Sequence, residues 1–451
     1  MFKISVILFR RTKATRKVSS TLKVFPEPQM TNLLLQDPFA VLKEYPDKLT
    51  HILENPLHTG CLQFSPRGDY LALGCANGGV VVYDMDTHRP ILFLGSKMGA
   101  HMRSVQSVAW SECGRFILSA GRDWSVKLWD LSCPEQPLKQ VQLESPVWNC
   151  QWIDSNAGSC IATAVEEERA FLINFQNNLT IIPLLPSEEL ESPQNQGYVL
   201  TSSVHSKNRQ IVITGTSKGW VNFYRIDSEL KFTLIKSLKI ANSNIKHLVV
   251  SQDGEKLAIN SSDRIIRQYS LKIPGAIDTV ELESEHKYQD VINRLQWNSI
   301  FFSGKSADYL VASTNGSSAH ELYMWETSSG TLVRVLEGAE EELMDIDWNF
   351  YNMCIASNGL ESGDVYVWSI VTVPKWSALA PDFEEVEENI DYQEKEDEFD
   401  HVDEQEQQQE IDQVEEVEID LRTRERYDVR GNDLLLTRFT IPTDYERILV
   451  M

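Results

Sequence analysis

The sequence lacks any long apolar run, since no stretch approaches the roughly 18 consecutive apolar residues that a membrane-spanning helix needs. It also lacks a cysteine framework, because its seven cysteines are an odd number and include no CxxC pair. This argues against a disulfide scaffold and against a zinc site. Five cysteines fall in apolar stretches typical of strands and are predicted to be buried free thiols of a reducing compartment, namely Cys61, Cys75, Cys150, Cys160 and Cys354.

The motifs of enzyme chemistry are missing as well. The chain contains no GxxxxGK[ST] phosphate loop, no HExxH and no GxSxG. Its nine histidines are scattered, and we expect His101 and His205 to be structural. Carboxylates cluster only in a segment that we expect to be flexible, where catalytic geometry cannot be held. The sequence therefore predicts a protein that is not an enzyme and has no metal site and no cofactor.

What the sequence does contain is a repeat. The stretch from Ser107 to Asp130 predicts three short strands joined by turns at residues 112–115 and 121–123. A second copy lies 46 residues upstream, at Phe64–Asp84, and this offset is typical of WD40 propeller blades. Five further copies are recognisable, at residues 148–175, 199–227, 250–269, 292–326 and 343–369.

Seven such units predict an all-β, seven-bladed WD40 β-propeller. One three-stranded unit with an apolar face is not stable alone, whereas seven four-stranded blades close into a ring with short, protected edges. We place the propeller at residues 31–373 and expect inter-blade loops with some strand at 176–198 and 272–291. Either Leu33–Leu35 or His51–Leu53 is predicted to supply the strand that closes the ring.

Both ends of the chain differ from the repeat. Residues 1–29 carry seven Lys or Arg residues and one acid, Glu27. We favour a disordered basic extension over 1–30, or a usual start at Met30, although the composition also suits a mitochondrial presequence. Residues 401–451 are predicted to form a disordered tail, first acidic and then of mixed charge.

An acidic segment accounts for most of the net charge. Residues 384–420 hold nineteen acids and one base, a net charge of −18 out of the −24 of the whole chain. Such a segment is expected to be disordered in isolation. Val386, Ile390, Tyr392 and Phe399 interrupt it, which favours a peptide that folds onto a basic partner over a tail that only adds solubility.

Several strings resemble one known family. Trp376–Phe383, Glu387–Tyr392 and Glu394–Asp400 are similar to the hinge of the retinoblastoma-binding WD subunit of COMPASS-type methyltransferase complexes, whose yeast members are called Swd subunits. The resemblance also includes Asp263–Arg267 and Leu322–Trp325. The hinge strings are the more specific part, because many scaffolds share the propeller motifs.

The resemblance implies a nuclear, non-catalytic scaffold for methylation of lysine four of histone three, with residues 374–400 as hinge and partner-binding motif. By position, the contacts with the SET-domain subunit are Phe383, Val386, Asn389 and Ile390. The contacts with the Ash-type SPRY subunit are Glu394, Glu396, Glu398, Phe399 and Asp400. The contacts with a second WD40 propeller are Glu416, Val417 and Ile419.

A further predicted surface faces the nucleosome. Arg264, Arg267 and Arg294 lie on or near neighbouring units and are expected either to contact DNA or to form salt bridges within their blades. The alternative to the whole interpretation is a WD40 adaptor of an unrelated complex, such as a ubiquitin ligase or an RNA-processing scaffold. An adaptor of that kind would lack the segment 376–400. No membrane partner is expected.

Overall fold

The computed structural model describes eleven parts of the chain. These are residues 45–95, 100–153, 158–176, 179–184, 196–227, 232–273, 279–290, 294–304, 306–316, 320–370 and 439–442. In these parts we find no helix with the length and hydropathy needed to span a bilayer.

The described residues form 28 strands arranged as seven four-stranded sheets, numbered here as blades one to seven. Blade one contains β2 (Thr59–Phe64), β3 (Tyr70–Cys75), β4 (Val80–Asp84) and β5 (Arg89–Leu94). Blade two contains β6 (Val105–Trp110), β7 (Phe116–Gly121), β8 (Ser125–Asp130) and β9 (Lys139–Gln142). Blade three contains β10 (Val147–Trp152), β11 (Ser159–Ala164), β12 (Phe171–Asn174) and β13 (Thr180–Pro183). Blade four contains β14 (Val199–Val204), β15 (Ile211–Thr216), β16 (Trp220–Ile226) and β17 (Phe232–Lys239). Blade five contains β18 (Ile245–Val250), β19 (Lys256–Ser261), β20 (Ile266–Lys272) and β21 (Glu281–Tyr288). Blade six contains β22 (Gln296–Phe302), β23 (Tyr309–Asn315), β24 (Leu322–Glu326) and β25 (Leu332–Leu336). Blade seven contains β26 (Leu343–Asn349), β27 (Cys354–Gly359), β28 (Val365–Ser369) and β1 (Lys48–Leu53).

The blades close into a ring, as the repeat predicted. The first strand of every blade contacts the first strand of the next one, and β26 of blade seven contacts β2 of blade one. Hydrogen bonding between the two ends of the propeller also closes the ring, because β1 comes from its start and pairs antiparallel with β28. Of the two closing strands that the sequence allowed, the structure therefore uses the one that contains His51–Leu53; Leu33–Leu35 lies outside the described residues.

The template segment folds as its pattern predicts. The hairpin between β6 and β7 closes with a hydrogen bond from the Gly114 N–H to the Ser111 carbonyl at 2.9 Å. Gly114 has a φ of 72°, which a glycine adopts at little steric cost. In the next turn Asp123 accepts hydrogen bonds from the backbone N–H groups of Met102 and Ser125.

The fourth strands of the blades have the weakest sequence signal. β13 and β21 fall in the stretches expected to hold loops with some strand, and that expectation is confirmed for the described residues. Half of the β13 residues and five of the eight β21 residues are exposed, so these strands carry little of the hydrophobic pattern that identified the other strands. The five cysteines predicted to be buried free thiols are buried and free.

A short segment near the C-terminus also belongs to the propeller core. Residues 439–442 lie against blades one and two, and Ile441 is only 2% exposed. These four residues fall within the stretch 401–451 that was predicted to be a disordered tail, and their packing against the propeller was not expected from the sequence.

Candidate functional surfaces

A hydrogen-bonded network lies at the upper end of blade two and includes the side chains of His101, Asp123, Ser119 and Trp129. We call the upper face the end of the ring that carries the turns between second and third strands and the connections between blades. His101 lies in a connection between blades, and its ring nitrogens contact Asp123 at 2.9 Å and the Ser119 hydroxyl at 2.6 Å. The Trp129 indole donates to the same hydroxyl at 2.9 Å. The sequence had suggested a structural role for His101, and the structure places it in that role.

This network has the order Ser–His–Asp of a nucleophilic triad but not its accessibility. Ser119 is fully buried, and its oxygen already contacts both the Trp129 indole and His101. A catalytic hydroxyl must reach a substrate carbonyl, and this one cannot. Burial raises the pKa of Asp123, but hydrogen bonds from His101 and Ser125 outweigh it and hold that pKa well below its usual range. The carboxylate is therefore ionised and holds the turn in place.

Blade five builds a related network with an arginine. Arg267 donates to the Ser261 hydroxyl at 2.6 Å and forms a salt bridge with Asp263. Burial raises the pKa of Asp263, but the bonds from Arg267 and Ser261 more than compensate and the pKa is lowered. The Arg267 side chain is 12% exposed, so its charge is largely committed within the blade.

Arg264 and Arg294, by contrast, are exposed on the upper face. Arg264 lies in the turn between β19 and β20, and Arg294 lies in the connection between blades five and six. The Trp297 indole donates to the Arg264 carbonyl at 3.1 Å and so joins the two blades at this point. Two of the three predicted DNA contacts thus share one surface, while the third faces into its blade.

The lower end of the central channel holds a cavity of about 230 Å³. Its lining includes Phe64, Trp110, Phe301, Trp348 and Asp347. The Asp347 carboxylate accepts hydrogen bonds from the backbone N–H of Phe64 at 2.6 Å and of Trp348 at 2.9 Å, which joins blade seven to blade one. Burial, with a smaller contribution from the nearby Asp345, raises the pKa of Asp347 to about 7. The cavity is smaller than the roughly 300–1,000 Å³ typical of ligand pockets.

Sequence patterns missed an apolar area on the upper face of blades two and three. Met102, Trp124 and Trp148 are 93%, 44% and 48% exposed. Trp124 follows Asp123 in its turn with a φ of 69°, and Trp148 lies at the start of β10. The sequence pattern does not distinguish these exposed side chains from buried ones, and the placement of the strands shows that they face outward.

The predicted partner-binding residues lie outside the described residues. This applies to the SET contacts, the SPRY contacts and the second-propeller contacts, all between Phe383 and Ile419. The same is true of the basic extension over 1–30. These assignments remain predictions.

The fold and the blade-two network define a WD40 β-propeller. The family model for the WD domain, G-beta repeat, matches residues 94–130. COMPASS component SWD1 of Saccharomyces cerevisiae is 65% identical over 422 residues, which cover 93% of this chain and 99% of that protein. Set1 complex component swd1 of Schizosaccharomyces pombe is 39% identical over 376 residues, covering 82% of this chain and 90% of that one. The crystal structure of the Myceliophteria thermophila Cps50 (Swd1) β-propeller domain matches with a TM-score of 0.64 and 32% identity, covering 72% of this chain and 100% of that chain.

The chain belongs to the Swd1 family of COMPASS WD-repeat components, which confirms the resemblance found in the sequence.

Proposed function

We propose that this chain is a non-catalytic scaffold subunit of a nuclear COMPASS-type complex that methylates lysine four of histone three. The observation that carries the proposal is the 65% identity to COMPASS component SWD1 across 93% of the chain. The buried Ser119–His101–Asp123 network supports a structural rather than a catalytic use of the propeller.

A scaffold accelerates a methyltransferase by fixing the geometry of the catalytic subunit. We assign that task to the segment after blade seven. Phe383, Val386, Asn389 and Ile390 contact the SET-domain subunit in this proposal. The acidic motif around Phe399 contacts the SPRY subunit, and Glu416, Val417 and Ile419 enter the second propeller. Charges speed the encounter of such partners, while a buried aromatic anchor sets the lifetime of the complex.

The acidic motif gives a kinetic test against purified SPRY subunit. Replacing Glu394, Glu396 and Glu398 together by Lys should slow association strongly and remove its dependence on salt, because the attraction that salt screens is lost. Phe399→Ala should leave association unchanged and speed dissociation about 30-fold, as expected for an anchor that contributes about 2 kcal/mol. Association and dissociation rates at two salt concentrations distinguish the two effects.

A matched control separates the motif from the overall charge. Replacing Glu404, Glu406 and Glu410 by Lys changes the net charge equally but leaves the motif intact. This control should retain most of the association rate. Equal losses in association rate for the motif variant, the control and Phe399→Ala would show that the segment acts only as a charged tail.

The SET assignment is tested by activity. Phe383→Ala in the reconstituted complex should lower methyltransferase activity while leaving SPRY binding and the melting temperature of the propeller unchanged. Unchanged methyltransferase activity for this variant would remove Phe383 from the proposed interface.

A further inference from the structure

The C-terminal segment places an isoleucine in the core between two blades. Ile441 is 2% exposed and joins a hydrophobic cluster that also contains Val82 of blade one and Trp110 of blade two. Phe439 packs against the same cluster from a partly buried position. Complete burial of an isoleucine side chain stabilises the contact between this segment and the propeller. A tail lying loosely on the surface would not bury an isoleucine in this way.

The groove that receives this segment is well built. The rings of Tyr70 and Trp110 stack with centroids 6.4 Å apart and planes 14° apart. Gln63 holds Trp110, because its side-chain carbonyl accepts from the Trp110 backbone N–H at 2.7 Å and its backbone carbonyl accepts from the indole at 3.1 Å. Ile91 and Leu92 of the outer strand β5 complete the apolar surface.

The groove also makes a polar contact with the segment. Burial raises the pKa of Tyr70, and a backbone hydrogen bond from Ile441 opposes this effect. Tyr70 also packs against the hydrophobic cluster that contains Ile441, so its side chain lies beside the docked segment. Pro442 restricts the residue before it to extended conformations, so Ile441 loses less conformational freedom on docking than in an ordinary peptide.

We propose that the groove between blades one and two is a binding site for an extended peptide of the pattern aromatic–x–isoleucine–proline. Residues 439–442 of this chain occupy it in cis. Specificity comes from the Ile441 pocket, the packing of Phe439 and the backbone contact at Tyr70.

Docking of residues 439–442 in this groove restrains the acidic segment 384–420 near the propeller. The chain leaves blade seven at Ile370 and returns to blades one and two at Phe439, so the intervening 68 residues are attached to the propeller at both ends. Closing a loop of this length has an entropic cost that grows only slowly with length, so a small apolar anchor can hold it. Attachment at both ends raises the effective concentration of the acidic motif near the ring. This consequence rests on the proposed function, whereas the groove does not.

The test uses full-length protein and a fluorescent peptide of residues 437–444. Ile441→Asp in the full chain should empty the groove, so this variant should bind the peptide. Wild type should bind it at least about tenfold more weakly, because its own segment competes at high effective concentration. Ile448→Asp, the same substitution in the same terminal stretch, should behave like wild type. Failure of the Ile441→Asp protein to bind, or equal binding by all three proteins, would overturn the proposal.

Two further measurements keep the proposal testable even if Ile441→Asp impairs folding. Amide hydrogen exchange on the wild-type chain should show slower exchange at residues 439–441 than at 405–413, and equally fast exchange would refute the docking. Tyr70→Phe combined with Ile441→Asp should bind the peptide several-fold more weakly than Ile441→Asp alone. If the peptide binds as predicted but Ile441→Asp leaves SPRY association unchanged, the groove is supported and the effect on the acidic segment is refuted.

Discussion

At the scale of single residues, burial decides what the Ser119–His101–Asp123 network does. The distances of 2.6 and 2.9 Å would suit a nucleophilic triad. The Trp129 indole on the serine oxygen instead makes this hydroxyl the centre of a closed network. A network with every member satisfied is worth more inside a protein than at its surface, and it positions the upper turn of blade two.

We expect Trp129→Ala to lower the free energy of unfolding by about 3–5 kcal/mol, because it removes a buried ring and leaves the Ser119 hydroxyl short of a partner. Trp129 is 1% exposed. Trp124→Ala is the matched control in the same blade, since that ring is 44% exposed and its loss should cost less than about 0.5 kcal/mol. Urea unfolding followed by circular dichroism measures both, and similar midpoints for the two variants would contradict the assignment.

The buried Asp347 carboxyl should make the free energy of unfolding depend on pH in a definite direction. Burial raises its pKa to about 7 in the folded chain, so the folded state binds the proton more tightly than the unfolded state does. The free energy of unfolding should therefore fall as the pH rises from about 4 to 7, by at most about 1.4 kcal/mol per pH unit from this group. Above pH 7 the contribution becomes constant.

Asp347→Asn should remove that part of the pH dependence. The comparison is the difference in unfolding free energy between pH 5 and pH 8, in variant and in wild type. The nearby His247 is buried in both proteins, whereas Asp345 loses a carboxylate neighbour in the variant, so the measured difference includes a smaller part from Asp345. An identical pH dependence in the two proteins would show that the Asp347 carboxyl is ionised throughout.

At the scale of elements, the closure of the ring depends on β1. This strand pairs with β28 across more than three hundred residues of sequence. The Thr50 hydroxyl reinforces it, with contacts to the Val367 carbonyl at 3.1 Å and to the Ser369 hydroxyl at 2.9 Å. A strand of six residues with one buried side chain gives little signal in a sequence, yet it makes the first and last parts of the propeller interdependent.

Adjacent residues of β1 provide a matched pair of variants. Leu53 is 4% exposed and packs between blades seven and one, whereas Ile52 is 50% exposed. Leu53→Ala should lower the unfolding free energy by about 2–5 kcal/mol, and Ile52→Ala should change it by less than about 0.5 kcal/mol. Chemical denaturation measures both values. Comparable losses from the two substitutions would mean that the register of β1 is shifted by one residue, which reverses the faces of a strand.

At the scale of the whole molecule, charge is unevenly distributed. The acidic segment 384–420 carries −18 of the net −24, so the remainder of the chain is only mildly acidic. The exposed Arg264 and Arg294 lie on one face of a ring that is itself acidic, since residues 45–370 hold 38 acids and 26 bases, a net charge of −12. A polyanion such as nucleosomal DNA would meet this face with less repulsion than the net charge suggests.

The structure sharpens the nucleosome prediction. Arg264→Glu with Arg294→Glu should weaken binding of the assembled complex to nucleosomes and lower the slope of log affinity against log salt by about one unit per lost phosphate contact. Arg267→Gln is expected to leave the salt slope unchanged and to destabilise blade five, because its charge pairs with Asp263. Binding at four salt concentrations and a melting curve separate these outcomes. An unaltered slope in the double variant would exclude the two arginines from the DNA contact.

The repeat in the sequence determined the architecture of this protein. Alternating apolar residues and turn signals recur at a regular spacing, and a three-stranded unit with one apolar face requires neighbours of its own kind. The number of blades and the burial of the five strand cysteines followed from that pattern. The hinge strings identified the family without any knowledge of the fold.

Only the tertiary structure decided which residues meet across the ring. β1 and Ile441 are distant in sequence from the blades that they complete, and an exposed strand or a single isoleucine carries no periodic signal. The exposure of Trp124 and Trp148 depends on where neighbouring strands end, which local pattern does not encode. Arg264 and Arg267 look alike in the sequence, but a salt bridge commits one of them to its blade while the other faces solvent. Short-range sequence patterns specify the strands and turns. The contacts between strands and segments that are distant in sequence depend on how the folded chain places them.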